Sequence, residues 1–208
     1  MNFEKLSFED LVKALASDAP TPGGGTAAAL AGAMGASLAE MVAALTLAKE
    51  KYAASHEVVR PIGLAAARTR GELLRLAQED SDSYDAVVTA RRLPKETEEE
   101  RATRTRRMSE ANRAAAEVPM RTAREAAGLL AAIPDLAEKG NPNAASDAGA
   151  AALLLEAAVQ GALLNVGINL SGADDAQFAA RMTEESERIG REAARLREKV
   201  LSSVRSRL

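Results

Sequence analysis

Apolar residues recur along most of the chain at helical spacing, and the pattern predicts about six helices. Ser7 and Asp10 form the outline of a capping box, and Phe8, Leu11, Val12 and Leu15 then make one apolar stripe, so a short first helix is expected before Pro20. The stretch from Pro20 to Tyr52 has a different character. After two prolines and the triplet Gly23, Gly24 and Gly25, Thr26 is the expected N-cap of a long helix. Its small residues Ala28, Gly32, Gly35, Ala36, Ala39 and Ala43 recur at helical spacing, while Leu30, Met34, Leu38, Met41 and Leu45 cover the other directions. A helix apolar nearly all round is expected at the centre of the fold.

A polar break containing His56, read as a surface or cap residue, leads into a helix from about Glu57 to Arg92 with Pro61 in its first turn. Leu73, Leu76, Ala77, Tyr84 and Val87 share one stripe of it. Arg91, Arg92, Leu93, Pro94 and Lys95 form a basic corner, and Thr97 with Glu100 opens the next helix through a second capping box. That helix is expected to reach Ile133, with Pro119 bending or breaking it. Gly140, Asn141 and Pro142 mark a turn. Ser146 and Asp147 read as caps of a second mostly apolar helix, which runs through Ala151, Leu155, Ala158, Ala162 and Val166 to Leu170. Gly172 and Asp174 separate it from an amphipathic last helix carrying Phe178, Met182, Ile189, Ala193, Leu196 and Val200. No linker, repeat or change of composition divides residues 1–208, so a single all-α domain, one bundle, is expected. The apolar surface left over predicts a homodimer.

Hydrophobic residues make up 47% of the 208 and aromatic residues only 2%. The core must therefore be built from alanine, leucine, valine and methionine at short interhelical distances. A net charge of -3 with few aromatics argues against nucleic-acid binding. A membrane span at the first apolar helix is disfavoured by Glu40, by the weak hydrophobicity of alanine and glycine, and by the lack of a second comparable segment. No signal-peptide pattern opens the chain, which leaves a cytoplasmic location as the expectation. With no Cys and a single His, thiol catalysis, zinc sites of the Cys/His type and a Ser-His-Asp triad are excluded, and no metal or bound cofactor is expected.

The remaining chemistry falls to carboxylates, hydroxyls, amides, Lys, Arg and Tyr. Aspartate is a poor helix former, so Asp80, Asp82 and Asp85 together within a helix need a reason. Helical geometry puts Asp80 on the stripe of Leu73, Leu76, Tyr84 and Val87, with Asp82 on the opposite side. A carboxyl in the wall of a cleft, desolvated enough to raise its pKa, can serve as general acid or base. The glycine triplet is either a plain turn or a backbone surface open to a polar ligand. Asn165 and Asn169, at i and i+4, are amides that need partners if buried.

Four stretches in order resemble the cyclodeaminase/cyclohydrolase family, which comprises the C-terminal domain of formiminotransferase-cyclodeaminase and free-standing bacterial relatives. They are PTPGGGTAAALAGAMGASLAEMVAALT from Pro20, DSDSYDAV from Asp80, RRLPKETEEE from Arg91 and GNPNAASDAGAAALLLEAAVQGALLNVGINL from Gly140. The resemblance implies an all-α homodimeric enzyme whose substrate is a tetrahydrofolate one-carbon adduct. The activity it implies is cyclodeamination of a formimino adduct to methenyltetrahydrofolate and ammonia, a lyase reaction, with methenyltetrahydrofolate cyclohydrolase as the alternative. A noncatalytic helical dimer that binds folate or a partner protein is the reading from another class. No formiminotransferase half is in the sequence, so another protein would supply a formimino substrate. The resemblance puts the catalytic acid on Asp82, and Asp80, which the stripe points inward, is expected to be a structural or assisting acid. Around it, Gly23, Gly24 and Gly25 are expected to form a backbone surface for the pterin or the one-carbon group, Asn141, Ser146, Asp147, Asn165 and Asn169 to make polar contacts, and Arg92 and Lys95 to meet the glutamate tail.

Overall fold

A computed structural model describes residues 3–171 and 175–207. The turn expected at Gly172 and Asp174 lies outside the described residues. Among those described there are seven α-helices, three short 3-10 turns and no strand. The helices are α1 (Phe8–Leu15), α2 (Gly24–Leu47), α3 (His56–Arg91), α4 (Glu98–Leu130), α5 (Ile133–Lys139), α6 (Ala145–Leu170) and α7 (Ala176–Arg205).

Helix α2 packs on both α3 and α6, and small residues let it come close. A Cβ added at Gly32 would lie 2.9 Å from Leu73 Cδ1 of α3 and 3.0 Å from Ala158 Cβ of α6. There is no room for a larger residue between those two neighbours. The same proximities set direction. Gly24 lies against Asn165 and Gly35 against Ala151, so α2 and α6 run antiparallel; Thr26 meets Asp80 and Glu40 pairs with Arg70, so α2 and α3 do too. Across α2, α4, α6 and α7, Ala36, Ala39, Met120, Leu130, Leu155, Val159 and Val200 are buried in one continuous core.

The far ends of α3 and α4 form an antiparallel hairpin, closed by Arg104 donating to the Arg91 carbonyl oxygen at 3.3 Å. Its tip carries the Thr97–Glu100 capping box, both reciprocal bonds being present. Ser7 likewise caps α1 through the Asp10 N–H.

Several local expectations need correction. Thr26 is not the N-cap of α2: Gly23 is, and Thr26 lies buried inside the first turn. Helix α2 stops at Leu47 rather than near Tyr52, because Lys49 is extended (φ -120, ψ 117) before the 3-10 turn Glu50–Ser55. Ser146 and Asp147 do not cap α6, which begins at Ala145 behind Ala144 with no side-chain cap. Helix α4 ends at Leu130 and Ile133 opens the separate α5.

Pro119 lies within α4 without ending it. Proline has no N–H for the carbonyl four residues back, which is that of Ala115. Asn169 Nδ2 of α6 donates to the Ala115 oxygen at 2.6 Å and fills the vacancy. A second helix also equals α2 in mean hydropathy: Gly24–Leu47 and Pro142–Leu170 are both 1.6 and long enough to cross a membrane, contrary to the expectation of one such segment. Both pack extensively within the bundle.

Candidate active site

Where α2 begins and α6 ends, the antiparallel helices leave a cleft with a volume of about 410 Å³. Gly23, Gly24 and Gly25 form one side, Asp80, Tyr84 and Arg91 of α3 another, Asn112 and Ala115 of α4 a third, and Asn165, Ile168 and Asn169 of α6 the fourth. Each wall comes from a different part of the sequence.

Asp80 occupies the inner end. Its carboxylate accepts from Thr26 Oγ1 at 3.0 Å and also from the Thr26 backbone N–H. That N–H belongs to the first turn of α2, where backbone donors have no intrahelical acceptor, and the Gly23 cap has no side chain to supply one. The acid of α3 thus caps α2 from outside. Gly25 makes this approach possible, because a Cβ there would lie 2.7 Å from Asp80 Cγ and overlap its oxygens. Burial is the larger influence on the acid and pushes its pKa above the usual carboxylate range; the Thr26 donors pull the other way.

The two α6 amides line the same space. Asn165 Nδ2 is spent on the Gly161 oxygen at 2.8 Å and Asn169 Nδ2 on that of Ala115. Their Oδ1 atoms therefore remain as acceptors. Among the described residues lining the cleft, Arg91 is the one cation.

The structure thus gathers Gly23, Gly24, Gly25, Asp80, Asn165 and Asn169 and leaves the other expected residues elsewhere. Asp82 is exposed and outside the cleft lining. It accepts from Gln78 Nε2 at 3.0 Å, and Gln78 Oε1 accepts the Phe3 N–H at 3.1 Å, so Asp82 helps tether the N-terminal segment. Arg92 and Lys95 are exposed near the hairpin tip rather than at the cleft. Asn141 is buried at the opposite end of α2, roughly 36 Å along a 24-residue helix. There Tyr52 Oη donates to Asn141 Oδ1 at 3.0 Å, and the Asn141 N–H donates to Thr46 Oγ1 at 2.8 Å. Ser146 and Asp147 lie at that same far end, at the start of α6. Sequence reasoning missed Thr26 as an acid-binding residue, Arg91 as the cation that lines the cleft, and Asn112. The stripe that Asp80 shares with Tyr84 was the signal that pointed inward.

Residues 7–188 match the family model described as formiminotransferase-cyclodeaminase. The chain is 39% identical to a methenyltetrahydrofolate cyclohydrolase of Methylorubrum extorquens, covering 97% of both chains. It is 33% identical to the formimidoyltransferase-cyclodeaminase of Gallus gallus over 88% of its own length, but spans only 34% of that relative. Among solved structures it resembles a formiminotetrahydrofolate cyclodeaminase of Thermotoga maritima, with a TM-score of 0.87, 33% identity and 98% of each chain covered. Shared sequence along nearly the whole length and a shared backbone lead to one conclusion: the chain belongs to the formiminotransferase-cyclodeaminase family.

Proposed function

We propose that the cleft binds a tetrahydrofolate one-carbon derivative and that Asp80, rather than Asp82, moves the proton at the reacting carbon. The observation that carries this reading is the largely buried Asp80 carboxyl in the cleft wall, whose pKa burial raises above the usual carboxylate range. Asp82 lacks such surroundings. The Asn165 and Asn169 oxygens suit a pterin, whose ring edge is rich in N–H donors. Arg91 suits a carboxylate of the substrate's glutamate tail, the part that Arg92 and Lys95 were expected to meet.

The reaction we favour is methenyltetrahydrofolate cyclohydrolase, supported by 39% identity with a relative of matching length bearing that name. The Asp80 carboxylate takes a proton from water as the water oxygen bonds to the methenyl carbon. The tetrahedral adduct then breaks its bond to one folate nitrogen, which receives the proton from Asp80. Loss of the hydroxyl proton to solvent leaves formyltetrahydrofolate. Cyclodeamination is the second reading, supported by the likeness to the Thermotoga enzyme. There a folate nitrogen bonds to the formimino carbon and passes its own N–H proton to the imino nitrogen, making it an amine; protonated Asp80 then gives that amine a second proton as the carbon–amine bond breaks, releasing ammonia and the methenyl cation.

The absorbance of methenyltetrahydrofolate tests both. Its protein-dependent decay supports cyclohydrolase, its appearance from formiminotetrahydrofolate supports cyclodeaminase, and no change with either substrate would overturn catalysis in favour of a binding protein. Asp80→Asn should lower turnover by about 10²–10⁴-fold. Full turnover in Asp80→Asn with loss in Asp82→Asn would reverse the assignment. Arg91→Ala should raise KM for the folate with little change in kcat; an unchanged KM would remove the tail-binding role.

A further inference from the structure

The proton-transfer role of Asp80 leaves open what fixes one rotamer of a short side chain on a helix that continues past it. Thr26 is fully buried at 0% exposure, a place where threonine is uncommon without a partner. Its hydroxyl lies 3.0 Å from Asp80 Oδ2 and 3.4 Å from the Ala77 carbonyl oxygen. With one proton to give, the shorter and charge-assisted bond to Asp80 is the stronger. Gly25, the preceding residue, presents bare Cα where any side chain would displace the carboxyl. Two successive residues of one helix therefore shape the position of a carboxyl carried on another, 54 residues away in sequence.

From this geometry we infer that Thr26 is a positioning residue: its hydroxyl holds Asp80 Oδ2, its backbone N–H holds the same carboxyl, and together they fix the one rotamer in which the acid exchanges a proton with the folate adduct. The inference rests on the proposed role of Asp80. Thr26 also sets how readily the acid ionises, because donors to a carboxylate favour its charged form. Among the described residues, the other titratable or charged groups lining the cleft are Tyr84 and Arg91, both on α3; those of α2, α4 and α6 that line it are uncharged. The Thr26 hydroxyl and backbone N–H are, among the described residues, the donors that pull the acid's pKa down against its burial.

The test compares Thr26→Val, which keeps the shape and removes the hydroxyl, with Thr26→Ser, which retains it. In Thr26→Val, kcat should fall by about tenfold or more with KM little changed. The acidic limb of the kcat profile should move to higher pH, and so should the carbon-13 NMR titration midpoint of the Asp80 carboxyl. Thr26→Ser should restore most of the rate and both pH positions. A Val variant with wild-type kcat, pH limb and NMR midpoint would overturn the inference. So would a rate loss that Ser does not recover. If the Val variant does not fold, Thr26→Ala carries the same readouts and the same two outcomes. Asp80→Asn separates this idea from its foundation: if that variant keeps full turnover, the role of Asp80 fails and takes the inference with it. If Asp80→Asn is inactive while Thr26→Val matches wild type, the positioning role alone fails.

Discussion

Asp80 is subject to two opposed influences, and their balance makes a prediction about stability. Burial disfavours its charged form more than the Thr26 donors favour it, so its pKa in the folded chain is raised. A raised acid binds its proton more tightly folded than unfolded. Its contribution to stability is complete below the ordinary aspartate pKa of about 3.9 and is lost as pH rises through the folded value. Asp80→Asn cannot ionise and still offers an oxygen to the Thr26 donors, since Asn caps a helix about as well as Asp. The variant should therefore melt higher than wild type at pH 8, with the gap closing towards pH 4. Calorimetry across that range checks the sign, and a gap that widens on acidification would contradict it. Higher stability alongside lost turnover is the usual mark of a strained functional group. Asp80 was partly legible beforehand, because the helical stripe pointed it inward. Its link to Thr26 was not, because helix period ranks faces within one helix and does not say which residue of another helix meets them.

At the scale of helices, the fold depends on small residues where α2 crosses α3 and α6. Gly32 sits between Leu73 and Ala158 with no space for a Cβ at ordinary contact distance from either. Gly32→Val should destabilise the chain by about 1–3 kcal/mol, because both neighbours are fully buried and have little room to move. Chemical denaturation measures this directly. At Gly71, where an added Cβ meets nothing within 4 Å, Gly→Ala should be neutral or slightly stabilising by the same measurement. Equal losses at the two positions would refute close packing as the reason for glycine at 32. Such crossings were visible in the sequence as alanine and glycine at helical spacing. The caps were less so. Ser7 and Thr97 behave as read because both partners lie within one turn, whereas α2 and α6 begin without a local side-chain cap. For α2, the missing partner arrives from α3.

For the molecule as a whole, each of the two most apolar helices keeps an outward stripe. Met34, Met41 and Leu45 are exposed on α2, and on α6 Leu153, Leu164 and Ile168 are 46%, 76% and 70% exposed. Ile168 also lines the cleft, so whatever covers that stripe touches the site's rim. We propose a second copy of the chain as the cover, as the family resemblance implied. Light scattering at micromolar concentration should return twice 21.8 kDa, and Leu164→Glu should shift the species towards 21.8 kDa. A clean monomer for the wild-type chain would remove this reading. The all-helical order was legible because it follows from local periodicity. The positions of Asn141, Ser146 and Asp147, far from the cleft, were not. They share a motif with Asn165 and Asn169 in sequence, but a straight helix of 26 residues carries its two ends to opposite poles of the bundle.

The proline in the middle of α4 has one more effect. By lacking a hydrogen at Pro119 it leaves Ala115 with an oxygen that Asn169 answers, and the two helices then fit like a key and its ward. Sliding either rod by one residue would strand that oxygen without a donor, which costs about 1–3 kcal/mol in a buried setting. The register of α4 on α6 is thereby pinned beside the cleft, whose rim carries both Ala115 and Asn169.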